Sequence, residues 1–210
     1  ALDHNTTFIA QSAVASLASN IGNVVFAAVY TLLAQKRSLL VSLGTAYVIW
    51  IVLGVITNAQ HWSIGAALVL NVLVLIGGIW LVRPLRHVPM MRVERRWYDY
   101  ALRAGLVAAL VGVLVTFSSR VGPYASGLRA VFPVILTSIS LILHNRAGGK
   151  PTAAVMANAV LGLTGFGIAC IALHYSAESF GKWPGLAIAL AVSIGFSLSV
   201  WQARRLGLRV

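Results

Sequence analysis

Apolar residues run along this chain in blocks of about twenty, the length of a helix that crosses a bilayer, and short hydrophilic breaks between the blocks hold nearly every Lys and Arg. Seven blocks emerge: Phe8–Ala34, Ser38–Thr57, Trp62–Val82, Tyr98–Ser119, Tyr124–Leu143, Ala153–Tyr175 and Trp183–Ala203. The pattern predicts an all-α fold, a polytopic transmembrane helix bundle of about seven spans. It reads as one transmembrane domain over residues 1–210, with spans one to three in 1–82, a basic cytoplasmic loop in 83–97 and spans four to seven in 98–210. Spans one and two are joined by little more than Gln35-Lys36-Arg37, which demands an antiparallel hairpin. Span five departs most from the pattern, because Arg129 and Pro133 fall inside it.

The charges orient the spans. Arg83, Arg86, Arg92, Arg95 and Arg96 crowd one break against Glu94 alone, which marks that break as cytoplasmic by the positive-inside rule. Counting spans outward from it puts Lys36, Arg37, Arg146, Lys150, Arg204, Arg205 and Arg209 on the same side. The outer side keeps Arg120, Lys182 and, near its helix end, Arg129. The seven-span arrangement therefore has its N-terminus out and its C-terminus in. A six-span arrangement without span five would expose Arg146, Lys150 or the C-terminal arginines on the outer side. Trp62, Trp80, Trp97 and Trp183 fall near the expected interfaces, as aromatic belts do.

Composition agrees with a lipid solvent. The 210 residues are 59% hydrophobic and 10% charged, against about 25% charged in soluble domains, and the mean hydropathy is +0.88. The net charge of +12 would suggest nucleic acid in a soluble protein. Here the positives flank apolar spans, so orientation and contact with anionic lipid account for them and no nucleic-acid partner is expected. A lone Cys170 allows no intrachain disulfide. The first block is too long for a cleavable signal and has no basic lead-in.

The chain carries an internal echo. A shift of 140 residues lays His4-Asn5 on His144-Asn145, Ala13 on Ala153, Gly22 on Gly162, Phe26 on Phe166 and Leu33 on Leu173. Two readings stand: a duplication, or coincidence between two Ala/Gly/Leu-rich helices. Under the first, spans one and six run in opposite directions, the inverted-repeat arrangement of many secondary transporters.

The second half, from about Tyr98 to Arg205, has a further signature: Gly122-Pro123-Tyr124-Ala125-Ser126-Gly127-Leu128, then Val131-Phe132-Pro133, then His144 and a final helix pair. This resembles the small four-helix GlpM-like bacterial membrane proteins, which place an aromatic and a Gly-Leu before a Phe-Pro inside the second helix. The resemblance implies a bacterial inner-membrane protein.

Candidate functional residues are few. Ser12, Ser16, Ser19, Asn20 and Asn23 recur at helical spacing on one face of span one. Such a stripe either lines a solute path or packs by hydrogen bonds against another helix. Asn71, Asn158, Thr137, Ser138 and Ser140 offer partners for the same interior. Pro133 lacks a donor and disfavours helix at Phe132, so span five should kink or break there. Arg129 either attracts an anion, together with Arg120, or anchors the outer interface. The expected path lies between spans one, five and six, with Ser16, Asn20, Asn23 and Asn158 for hydrogen bonding, Pro133 for the break and Arg129 for attraction.

The absences shape the functional reading. His4, His61, His87, His144 and His174 fall in breaks or at span ends without metal-pair spacing, so no metal or other cofactor is expected. Asp3, Glu94, Asp99 and Glu178 are the only acids and none is mid-span, which disfavours carboxylate proton relays and cation sites. No phosphate loop or nucleophile elbow is present, and no catalytic residue is assigned. The sequence thus points to a non-enzymatic inner-membrane protein that moves a small neutral or anionic solute or a lipid. Its rival is a non-catalytic accessory subunit that packs against a larger membrane protein complex. The expected partners are the bilayer with its anionic lipids, and either further copies of the chain in a homo-oligomer or that larger complex.

The echo also generates a prediction. Its second copy is preceded by two spans and its first copy by none, so the parent gene should encode further apolar spans upstream of Ala1. Reading that gene decides it: no upstream span overturns the expectation.

Overall fold

The computed structural model describes residues 6–60, 62–86, 132–206 and the helical positions 104, 105, 107–109 and 112. The described elements are helical: α1 Thr6–Leu33, α2 Leu39–Asn58, α3 Ile64–Val82 with a 3-10 turn Arg83–Leu85, α4 Val134–Ala147, α5 Gly149–Phe180 and α6 Lys182–Arg205. Five helices are long and apolar enough to cross a bilayer, and α4 is apolar but shorter. The chain is an integral membrane protein built as a helical bundle. Apart from positions 104, 105, 107–109 and 112, span four lies outside the described residues, as do the loop beyond Arg86, the break holding Arg120 and the start of span five with Arg129.

The helix starts follow local chemistry. Ser38 and Ser63 cap α2 and α3 by accepting from Val41 N–H and Ala66 N–H. Pro151 and Pro184 occupy the first turns of α5 and α6, where the missing N–H costs nothing. Single glycines join α4 to α5 and α5 to α6: Gly148 at φ 86° and Gly181 at φ 89°, a region in which a side chain would be strained. Both ends of α5 consequently turn back at once, and α5 runs past the block seen in sequence at each end.

The core is the α1–α5 pair. Ala34 meets Gly149, Thr31 meets Ala153, Asn20 meets Leu163 and Ala10 meets His174. As α1 advances α5 retreats, so the two lie antiparallel along nearly their whole length. Small residues permit the approach: Ala10, Ala13, Ala27, Ala153 and Ala157 are buried, and a Cβ at Gly149 would overlap the Ala34 carbonyl oxygen. Helix α3 runs parallel to α1, with Asn71 at Leu17 and Gly78 at Val24. Helix α2 returns antiparallel to α1, its Trp50 ring covering Gly22. Between α1, α2 and α4, Phe26, Tyr47, Trp50 and Phe132 pack ring on ring at centroid distances of 5.2–5.6 Å.

These directions sort the charges. Lys36, Arg37, Arg83, Arg86, Arg146, Lys150, Arg204 and Arg205 all fall at one end of the bundle, and Lys182 with Glu178 at the other. Exposed Trp80 and Trp201 stand near the basic end, Trp62 and exposed Trp183 near the other. On α6 the two tryptophans are 18 residues apart, about 27 Å at helical rise and close to the hydrocarbon thickness of a bilayer. Between them the outward faces of α2, α3 and α6 expose Val48, Val52, Val69, Leu73, Ile76, Leu190 and Ile194, the face a lipid solvent requires.

Echoed positions fall differently in the two hairpins. Helix α1 ends at Leu33, whereas α5 continues through the matching Leu173 to Phe180.

The close approach at Gly149 is testable by thermal denaturation in neutral detergent. Gly149→Ala should lower stability by about 1–3 kcal/mol, because one helix must shift. Gly195→Ala meets nothing within 4 Å and should be neutral or stabilising by up to about 1 kcal/mol. The reverse ranking would overturn the α1–α5 packing.

Candidate functional site

The polar stripe of α1 meets several helices. Ser12, Ser16 and Ser19 are half-buried, whereas Asn20 and Asn23 are buried. Asn20 faces α5 and donates its amide to the Leu163 carbonyl (3.2 Å). From α3, Asn71 donates to the Leu17 carbonyl (2.8 Å). Gly167 of α5 makes room for both amides: a Cβ there would lie 3.2 Å from Asn71 Oδ1 and 3.9 Å from Asn20 Nδ2. Asn23 is turned towards α2, where its Oδ1 accepts from Trp50 Nε1 (3.1 Å).

Two further polar joints sit nearer the basic end. Helix α4 begins directly after Pro133, at the position where proline chemistry predicts a break. The Pro133 carbonyl accepts both the Thr137 N–H and the Thr137 hydroxyl, each at 2.8 Å. That spends the Thr137 proton, so the Tyr47 hydroxyl is the donor in its short bond to Thr137 Oγ1. The Tyr30 hydroxyl and His144 Nδ1 lie 2.8 Å apart, tying α1 to α4. His144 also offers its backbone carbonyl to the Gly148 N–H, closing the helix.

Asn158 belongs to a separate place. Its amide nitrogen donates to the Ala154 carbonyl (2.8 Å) and the Arg86 carbonyl (3.3 Å), and its Oδ1 accepts from Arg204 Nη2 (2.9 Å). It joins α5 to the turn after α3 and to the end of α6. Arg129 lies outside the described residues. The predicted path residues are therefore distributed over separate joints. Asn20 lies at α1/α3/α5, Asn23 at α1/α2, Asn158 at α3/α5/α6, and Pro133 heads the helix that meets Tyr47. Asn20, Asn23, Asn71 and Asn158 each spend a donor or an acceptor on a neighbouring element, as lipid demands of buried polar groups.

Several buried polar atoms are left over among the described residues. Asn20 Oδ1 is fully buried and has no hydrogen-bond partner among the described residues. A buried unsatisfied acceptor costs about 1–3 kcal/mol. Ser42 Oγ, buried on α2, is in the same condition.

Sequence reasoning missed several of these joints. Tyr30–His144 spans 114 positions and Tyr47–Thr137 spans 90, so no local pattern announces them. His174 reads as a span-end residue, yet it sits inside α5 and its Nδ1 donates to the Ala10 carbonyl (3.1 Å). No cluster of three metal-ligating side chains exists among the described residues.

The Trp50–Asn23 joint can be weighed by a double-mutant cycle. Trp50→Phe alone strands the Asn23 oxygen and should cost about 1–2 kcal/mol of thermal stability in detergent. Adding Asn23→Leu should recover part of that loss, since no acceptor is then orphaned. Strict additivity would show that the bond contributes nothing.

No protein-family model, no curated protein and no solved structure matches this chain.

Proposed function

We propose that this chain is a multi-pass protein of a bacterial inner membrane, with its basic end in the cytoplasm, its N-terminus out and its C-terminus in. In this reading it moves a small neutral or anionic solute, or a lipid. The observation that carries the reading is Asn20. Among the described residues an amide acceptor stands unpartnered between the levels of the two tryptophan pairs, where α1, α3 and α5 converge beside Gly167. A helix pair selected for strength alone would place Ala or Leu there. A group that exchanges hydrogen bonds with a passing solute needs an uncommitted acceptor. The break before α4, with the Tyr47–Thr137–Pro133 relay beside it, supplies the irregular backbone that transporters use at membrane depth.

A second reading has its own support. Helix α6 packs on α5 and turns Leu190, Ile194, Leu198 and Trp201 outward, an apolar face suited to another membrane subunit as well as to lipid. An accessory subunit would use that face and need no flux.

Purified full-length chain in liposomes separates the two. Stopped-flow light scattering follows neutral and anionic solutes, and dithionite bleaching follows labelled lipids. The transport reading expects flux above that of empty liposomes, reduced about fivefold by Asn20→Leu, the equivalent of about 1 kcal/mol in the barrier. Inert liposomes, together with stoichiometric recovery of a larger complex from native membranes, would transfer the assignment to the subunit.

A further inference from the structure

The basic residues at this end of the bundle differ in setting. Lys36, Arg37, Arg146 and Lys150 occupy loops and helix ends at the tip formed by α1, α4 and α5. Arg83, Arg86 and Arg204 lie lower, where the ends of α3 and α6 come level with Asn158 of α5. Asn158 is nine residues into α5 from Gly149, about 13 Å below the tip at helical rise. That leaves a step on the side of the bundle.

The step is constructed by a single amide. With its nitrogen committed to the Ala154 and Arg86 carbonyls, the Asn158 oxygen must face outward, and it holds Arg204 Nη2 at 2.9 Å. The same amide thus pins the turn carrying Arg83 and Arg86 and fixes one edge of the Arg204 guanidinium. Arg83 and Arg86 share one turn, the Arg86 N–H bonding the Arg83 carbonyl. Burial first, then the nearby charges of Arg204 and Arg83, push the Arg86 guanidinium below its ordinary range, a sign of how closely the cations are gathered. Arg86 nonetheless stays ionised, as arginine does in proteins.

The level of the step identifies what meets it. Trp80 is six residues before Arg86 on α3 and Trp201 three before Arg204 on α6, so the guanidinium groups stand within about two turns of the tryptophan level. Guanidinium forks match the tetrahedral oxygens of phosphate and share two or three bonds with it. Phosphate is also the anionic group present at that depth of a bilayer.

We propose that Arg83, Arg86 and Arg204, set in place by Asn158, form a binding site for a phosphate group at the basic interface of the bundle. The site is independent of solute movement and stands even if the protein carries no flux.

The test uses full-length chain in nanodiscs of equal phosphatidylglycerol and phosphatidylcholine, with co-retained lipid counted by native mass spectrometry. Wild type should retain phosphatidylglycerol selectively. Arg86→Gln with Arg204→Gln should lower that occupancy about tenfold, the loss of roughly one charge-assisted contact. Asn158→Leu keeps every charge but frees Arg204, and should lower it about threefold. Arg37→Gln removes one charge at the same end and should change nothing. Calorimetric titration with inorganic phosphate in neutral detergent separates the sources. Heat that disappears in Arg204→Gln means that a free phosphate anion suffices; lipid retention without that heat means that the headgroup is required. Either result supports the site. Equal losses from Arg37→Gln and Arg204→Gln, an unaffected Asn158→Leu, or no retention of either probe would overturn it. Arg204→Lys, which preserves charge, should recover part of the occupancy and guards against a variant that fails to fold.

Discussion

Everything described in this bundle depends on how closely α1 and α5 approach each other. Lipid gives two apolar helices no hydrophobic reason to associate, so contact must come from close packing and interhelical hydrogen bonds. The α1–α5 pair uses both. Alanines and glycines thin the facing surfaces, while Thr31, Asn20 and His174 bond across the seam near its basic end, middle and opposite end. Once that seam is set, the single-glycine turns at Gly148 and Gly181 leave α4 and α6 only one place to go, back along α5.

The same economy explains the polar residues. An amide inside a membrane is expensive without a partner, so most of these amides became joints between helices. Asn23 holds α2 through Trp50, Asn71 holds α3 to α1, and Asn158 ties α3 and α6 to α5. A stripe that looks like one lined path along α1 is therefore divided among several interfaces. Asn20 differs: its side-chain oxygen is buried and uncommitted among the described residues, as are the hydroxyls of Ser42 and Thr164.

Charge and aromatic placement form a second system, governed by the water–lipid boundary. The helices alternate direction so that basic residues from α1, α3, α4, α5 and α6 reach one end. Tryptophans on α3 and α6 mark two levels separated by about the thickness of the hydrocarbon. Near one of those levels Asn158 bonds the Arg86 carbonyl and the Arg204 guanidinium, whereas at the tip Arg37 lies in the turn after α1 and Arg146 at the end of α4. A uniform tally of positive charge conceals that difference.

The amino-acid sequence by itself determined the class, the positions of the five long apolar helices among the described residues and the common end of the bundle to which the described basic residues of the breaks on either side of them, Lys182 apart, go. Those properties follow from the cost of charge in hydrocarbon and from helix length, both of which act locally along the chain. It also marked the start of α4, because Pro133 removes a donor whatever surrounds it. Tertiary structure decided which polar residues meet. Tyr30 with His144, Tyr47 with Thr137 and Asn158 with Arg204 are distant in sequence, and each bond exists only because two helices pack in one register. It likewise decided that, among the described residues, Asn20 keeps a free acceptor while Asn23, one turn away on the same helix, does not. Periodicity places both on one face, but only the neighbouring helices supply or withhold a donor.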